Sequence, residues 1–180
     1  MDERDLIQNC RGGDRESCRK LMERYSDYAM SVAFHILMNR QDAEDACQDA
    51  FFKAFHHLGS FDPERSFKPW FSSLLVRQCL DQVRKRVRFG RFLDRLKSDP
   101  PAPLLSSGRN AAEDTAPIGD LLGGLRPKER AALYLWSQEG YTGEEIGAAL
   151  NCSPKTAHVH LYRARVKLKS RLKEKNHGKV

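Results

Sequence analysis

A stretch that no packed element tolerates divides this sequence. Between positions 98 and 118 stand Pro100, Pro101, Pro103 and Pro117, with Ser98, Ser106, Ser107 and Gly108 and no aromatic residue. Proline removes an amide donor and restricts the residue before it, and short polar side chains bury little surface. A compact domain rarely contains so long a segment without structure. The sequence is therefore read as two small helical domains, 1–97 and 118–180, joined by a flexible linker over 98–117. The chain's 180 residues suffice for two small domains.

On both sides of the break the apolar residues recur at three and four, the period of a helix, and no alternation of period two is visible. The fold class read from this is all-α. Asp14 is placed to cap a helix running to about Arg40, with Cys18, Leu21, Tyr25, Tyr28, Val32 and Ile36 on one stripe. Asp42 resembles a cap for the next helix, which carries Ala46, Ala50, Phe51, Ala54 and Phe55 and stops at Gly59. A long helix is expected from Phe67 to Phe92, with Pro69 tolerable only in its first turn.

Net charge is +7, from 31 Lys+Arg against 24 Asp+Glu, but it is unevenly distributed. Residues 1–64 carry 8 basic and 13 acidic groups, whereas residues 65–97 carry 10 basic and 2 acidic. Residues 155–180 carry 9 basic and 1 acidic. Two separate basic blocks point to two contacts with polyanions rather than one diffuse charge. No apolar run is long enough to span a membrane, and the acidic N-terminal residues do not resemble a secretory leader. Membrane insertion is not expected. The five cysteines, Cys10, Cys18, Cys47, Cys79 and Cys152, form no C-x-x-C pair. They fit a reducing cytoplasm, with a thiol switch at Cys10/Cys18 as the alternative to structural thiols.

The C-terminal part holds the most specific pattern. A helix from Pro127 to about Glu139 ends at Gly140. Thr142-Gly143-Glu144-Glu145 forms a capping box, Asn151-Cys152 a tight turn, and Ser153 a cap with Pro154 at the first helical position. The last helix is expected to bury Ala157, Leu161, Ala164, Leu168 and Leu172. Two helices about a short turn, the second longer and basic, form a helix-turn-helix. Lys155, Thr156, His158, Val159, Tyr162 and Arg163 then face away from the stripe, with His160 at its margin and Arg165 following. Such side chains hydrogen-bond base edges or contact a thymine methyl in a major groove. The bland reading is a helical hairpin with a basic tail.

Three motifs carry a resemblance to a family. The first is Asp42-Ala43-Glu44-Asp45-Ala46-Cys47-Gln48-Asp49-Ala50-Phe51. The second is Phe61 followed by Phe67-Lys68-Pro69-Trp70-Phe71, with Asp81 and Arg84 downstream. The third runs from Gly140 to Gly147, through Ser153-Pro154-Lys155-Thr156, to Leu161-Tyr162-Arg163-Ala164-Arg165. Together they make the chain resemble bacterial extracytoplasmic-function (ECF) sigma factors, the compact promoter-recognition subunits of RNA polymerase. The resemblance implies a protein that binds core RNA polymerase and contacts promoter DNA both as duplex and as melted single strand. It implies no catalysis and no cofactor.

The resemblance also implies roles. Asp42, Glu44, Asp45, Gln48, Asp49 and Phe52 would meet the polymerase clamp. Arg65, Phe67, Lys68, Phe71, Arg77, Arg84 and Lys85 would hold the melted downstream element, since single strands call for cations plus aromatic platforms. Lys155, Thr156, His158, Val159, His160, Tyr162, Arg163 and Arg165 would read the upstream element. Arg77 stands where the family often has Asn, which leaves the downstream base preference open. His158-Val159-His160 replaces a basic run, so upstream affinity is expected to fall as pH rises. The family is usually held inactive by an anti-sigma factor, often membrane-anchored.

Three other readings remain. A helix-turn-helix regulator acting without polymerase explains only the second domain. A sigma-like decoy for an anti-sigma factor is consistent with the motifs, but the intact basic blocks argue against it. An enzyme is disfavoured, because no phosphate-binding glycine loop, nucleophile elbow or metal triad is present. A metal at the acidic helix is disfavoured as well, since no His lies within a turn of the cluster.

Overall fold

The computed structural model describes residues 2–96 and 116–177. Helices α1 (Glu3–Arg11), α2 (Arg15–Leu37), α3 (Arg40–His57) and α4 (Phe67–Leu96) form an N-terminal group, with a 3-10 turn at Leu58–Ser60. Helices α5 (Ala116–Leu122), α6 (Pro127–Ser137), α7 (Gly143–Leu150) and α8 (Pro154–His177) form the C-terminal group. No strand occurs among the described residues. The all-α architecture of two helical parts agrees with the sequence reading. The expected linker, 98–117, lies outside the described residues except for Ala116 and Pro117, which open α5.

Helix boundaries follow from local chemistry. Asp14 accepts from the Ser17 backbone N–H at 3.1 Å and starts α2. Met38, in the left-handed region at φ 56°, ends it. The cap of α3 is Asn39, whose side chain accepts from the Asp42 N–H at 2.9 Å. Asp42 therefore sits inside the first turn and not at the cap, because Asn39 reaches the free amides first. Thr142 and Glu145 form the reciprocal capping box of α7. Gly147 permits the tight turn to α8, since a Cβ there would lie 2.8 Å from the Cys152 carbonyl oxygen.

Within the N-terminal group, Ala43, Ala46, Ala50 and Ala54 are fully buried along α3 and let α2 and α4 approach closely. The space beside them is filled by rings. Phe67 and Phe71 stack at 5.7 Å between centroids, Phe51 lies 4.7 Å from Phe71, and Tyr25 lies 5.1 Å from Phe67. In the C-terminal group Leu135, Ile146, Leu150, Ala157, Leu161 and Ala164 are buried. Leu172, expected on that stripe, is 48% exposed. The apolar stripe of α8 outruns the helices it packs on.

The two groups share one continuous core, which the sequence does not foretell. Polar contacts fix the approach. The Arg130 guanidinium donates from Nε to the Ile36 carbonyl at 2.8 Å and from Nη1 to the Leu125 carbonyl at 2.7 Å. Tyr134 donates to Ser31 at 2.8 Å, and the hydroxyls of Tyr141 and Ser72 pair at 3.0 Å. Burial pushes the Arg130 guanidinium down to about 10, which leaves it charged near neutrality.

Glu129 is almost fully buried in α6. Burial alone would raise its carboxyl, but Lys167, at 2.7 Å, and the Arg126 backbone N–H outweigh that and lower it. A carboxyl lowered in the folded state adds stability above its unfolded value of about 4.3 and loses it as pH falls toward the folded value. Acidification below about pH 4.5 is therefore expected to weaken the C-terminal group. Glu129→Gln should flatten this acid limb in a chemical-denaturation series and lower neutral stability by about 1–3 kcal/mol. An unchanged acid limb would contradict the role.

Candidate nucleic-acid and partner interfaces

The acidic helix α3 divides its charges between two faces. Asp42 turns toward α4 and pairs with Arg86 at 2.7 Å. Asp49 likewise accepts from Gln78 Nε2 at 2.5 Å, and Gln78 accepts in turn from Lys53. Glu44 pairs with Arg40 of its own helix at 3.0 Å. Asp45, Gln48 and Phe52 stand on the outward face, and Phe52 is 75% exposed. The His56 ring lies parallel to Phe52, one turn further on. Sequence reasoning does not single out His56, although its spacing of four from Phe52 places both on one stripe.

The first basic helix is largely occupied. Phe67 and Phe71 are 1% and 0% exposed, at the centre of the ring cluster. The expectation that either offers a platform to an unstacked base is corrected for this conformation, because core packing covers both ring faces. Trp70 is half-buried between Phe61 and Phe67. Lys68 pairs with Glu139 at the end of α6 and also lies 4.5 Å above the Tyr28 ring. Arg77 donates to the Ala148 carbonyl of α7 at 3.0 Å. Arg65 pairs with Asp62 at 3.5 Å and Arg84 with Asp81 at 2.5 Å, both at the surface. Lys85 is exposed. The helix-turn-helix group thus engages two of the cations assigned to the downstream element through one contact each, with Arg77 still exposed.

Helix α8 presents three faces. Lys155, Val159, Tyr162 and Arg163 point outward, opposite the buried stripe, with Tyr162 69% exposed. Thr156 is exposed too, and its hydroxyl pairs with the capping Ser153 hydroxyl at 2.9 Å. His158 and Arg165 turn to one flank. They line a cavity of about 310 Å³ with Trp136, Tyr141 and Gly143. The Arg165 guanidinium lies 5.1 Å from the Trp136 ring centroid, and the His158 ring lies against Gly143, where a Cβ would overlap it. His160 turns to the other flank. Of the more distal cations, Arg171 is not a free phosphate contact, since it donates to the Asp120 carbonyl at 2.7 Å and anchors α5.

Among the described residues, no cluster of His, Cys, Asp and Glu could hold a metal ion, and no helix is long and apolar enough to cross a membrane.

A helix-turn-helix with an exposed basic face, joined to a helical group with an acidic surface stripe, defines a DNA-binding adaptor. Comparison with known proteins gives the class. The sigma-70 region 2 family model matches residues 21–89, and the sigma-70 region 4 family model matches residues 116–168. The ECF RNA polymerase sigma factor SigE of Mycolicibacterium smegmatis is 29% identical over 160 residues, covering 85% of this chain but only 60% of SigE. The RNA polymerase sigma factor CarQ of Myxococcus xanthus is 26% identical over 173 residues, covering 93% of this chain and 96% of CarQ. The solved structure of the sigma factor RpoE from Bartonella quintana, in complex with the anti-sigma factor NepR, has the same fold. It gives a TM-score of 0.68 at 24% identity, covering 86% of this chain and 96% of that one. The chain belongs to the ECF group of RNA polymerase sigma factors, which are DNA-binding transcription regulators.

The position of His160 sharpens the pH dependence. Burial, followed by the nearby Lys128, holds its imidazole below the ordinary histidine value. Neutral His160 is therefore already the main form near pH 7. Protonation on DNA is favoured by phosphate, so its contribution appears as affinity rising on acidification below about pH 6.5. In a His160→Gln variant, fluorescence anisotropy with duplex DNA should lose that rise on acidification. A rise of the same size in the variant would contradict this assignment.

Proposed function

We propose that this sigma factor binds core RNA polymerase through the outward stripe of α3 and reads promoter DNA with two separate surfaces. Residues 1–97 serve polymerase binding and promoter melting, 98–117 the connection, and 118–180 upstream-element recognition. Asp45, Gln48 and Phe52 make the direct polymerase contacts. Asp42, Glu44 and Asp49 join them once their partners on α3 and α4 release or share them. The observation that carries this reading is the outward face of α8. Lys155, Val159, Tyr162 and Arg163 are exposed together at the start of a capped second helix, as major-groove readout requires.

Downstream-element binding by Lys68 and Arg77 exchanges the contacts that each now makes across the boundary of the two helical groups for phosphate. Arg65, Arg84 and Lys85, at the surface, supply cationic tracking of the melted strand. The protein acts without catalysis, in the bacterial cytoplasm. An anti-sigma factor is proposed as its inhibitor, as in the solved sigma factor–NepR complex of the same fold.

The test is initiation itself. Purified protein added to core polymerase and genomic promoter fragments should produce specific initiation. DNA binding without initiation would favour a stand-alone regulator, and polymerase binding without initiation a decoy. Phe52→Ala should weaken core binding by about tenfold or more with duplex-DNA affinity unchanged. Neutralising Lys155 and Arg163 should lower the salt slope of duplex binding by about one for each phosphate that the variant no longer neutralises. An unchanged slope would remove them from the interface.

A further inference from the structure

Helices α1 and α2 form a hairpin around Gly12 and Gly13, and the structure joins Cys10 to Cys18 across it by a disulfide, with Cα atoms 4.9 Å apart. That spacing is well within the range a disulfide needs without backbone movement. A bond of this kind does not persist in a reducing cytoplasm, so the pair is held ready to change state there. The next residue, Arg11, reaches out of the hairpin. It donates from Nε to the Leu58 carbonyl at 2.9 Å and from Nη2 to the Gly59 carbonyl at 2.9 Å, and it also bonds the Phe61 carbonyl. Those carbonyls belong to the 3-10 turn and to Phe61 just after it, on the way into α4. Phe61 in turn packs its ring 5.7 Å from Phe67 and 5.0 Å from Trp70. One side chain next to a redox-capable pair thus holds the turn ahead of the first basic helix.

We propose that Cys10 and Cys18 are a reversible redox modification site whose oxidation, acting through Arg11, stiffens the 58–61 turn. This goes beyond the promoter reading and does not rest on it. The oxidant class is a low-molecular-weight disulfide. Cys18 is partly exposed while Cys10 is buried, which makes Cys18 the entry point. Its thiolate attacks one sulfur of the oxidant and expels the other half as a thiolate, which takes up the proton. The Cys10 thiolate then attacks Cys18 sulfur in the mixed disulfide and releases the second half. Two protein thiols are oxidised, and one small disulfide is reduced to two thiols. Two of the other cysteines are poor competitors, since burial raises the Cys47 thiol to about 12 and the Cys79 thiol further.

The experiment uses the full chain incubated with oxidised glutathione or with dithiothreitol, then alkylated and mapped by mass spectrometry. Hydrogen exchange is followed across residues 58–61. Oxidation should reduce the alkylated cysteines from five to three, with the Cys10–Cys18 peptide recovered linked. Exchange at 58–61 should slow by about tenfold and recover with reductant. Cys18→Ser should show the reduced-state rate under both conditions. Arg11→Gln should still form the disulfide but lose the slowing. Five free thiols after oxidation, a different pairing, or a linked pair with unchanged exchange in the wild-type chain would each overturn the proposal. The wild-type comparison stands even if a variant fails to fold.

Discussion

Much of this structure depends on one half-buried guanidinium. Arg130 lies in the first turn of α6, yet it donates to the carbonyl of Ile36, one residue from the end of α2. The last carbonyls of a helix have no partner within it, and leaving one buried and unpaired costs free energy. Arg130 supplies that partner while a second nitrogen holds the Leu125 carbonyl ahead of its own helix. A charge in such a place is tolerable only because its donors are well used. The arrangement joins the end of one helical group to the start of the other, and the shared apolar core closes around it.

That junction changes what the charge blocks do. Part of the first block is engaged within the fold, where Arg86 meets Asp42, Lys68 meets Glu139 and Arg77 meets a helix-end carbonyl. The second keeps its outward face open at Lys155 and Arg163, while Lys167 and Arg171 are spent on Glu129 and α5. A basic block in sequence is therefore a supply of cations, and tertiary contacts decide how many face a ligand. Surface pairs of this kind contribute little stability each, so exchanging them for phosphate contacts is energetically accessible.

Much of the fold is legible from the chain. The caps at Asp14, Thr142 and Ser153, the break at Gly140 and the helix-turn-helix emerge from side-chain chemistry within a few residues. The misreadings share a cause. Asn39 displaces Asp42 as a cap, Leu172 has nothing left to pack on, and Phe67 and Phe71 join a ring cluster whose other members lie elsewhere in sequence. At the candidate interfaces, the residue types are readable. Their division among faces is not, because His158 and Arg165 face a cavity made with α6 and α7.

The sequence by itself determined the helices, their capped ends and the two-part order, because these depend on interactions spanning one or two turns. It also determined that each part carries a cationic surface. Only the tertiary structure decided which cations remain open, that the two parts share a core, and that Cys10 neighbours an arginine gripping a turn some fifty positions away. Those outcomes depend on carbonyls, rings and hydroxyls meeting across long separations, and no local period or spacing encodes such meetings.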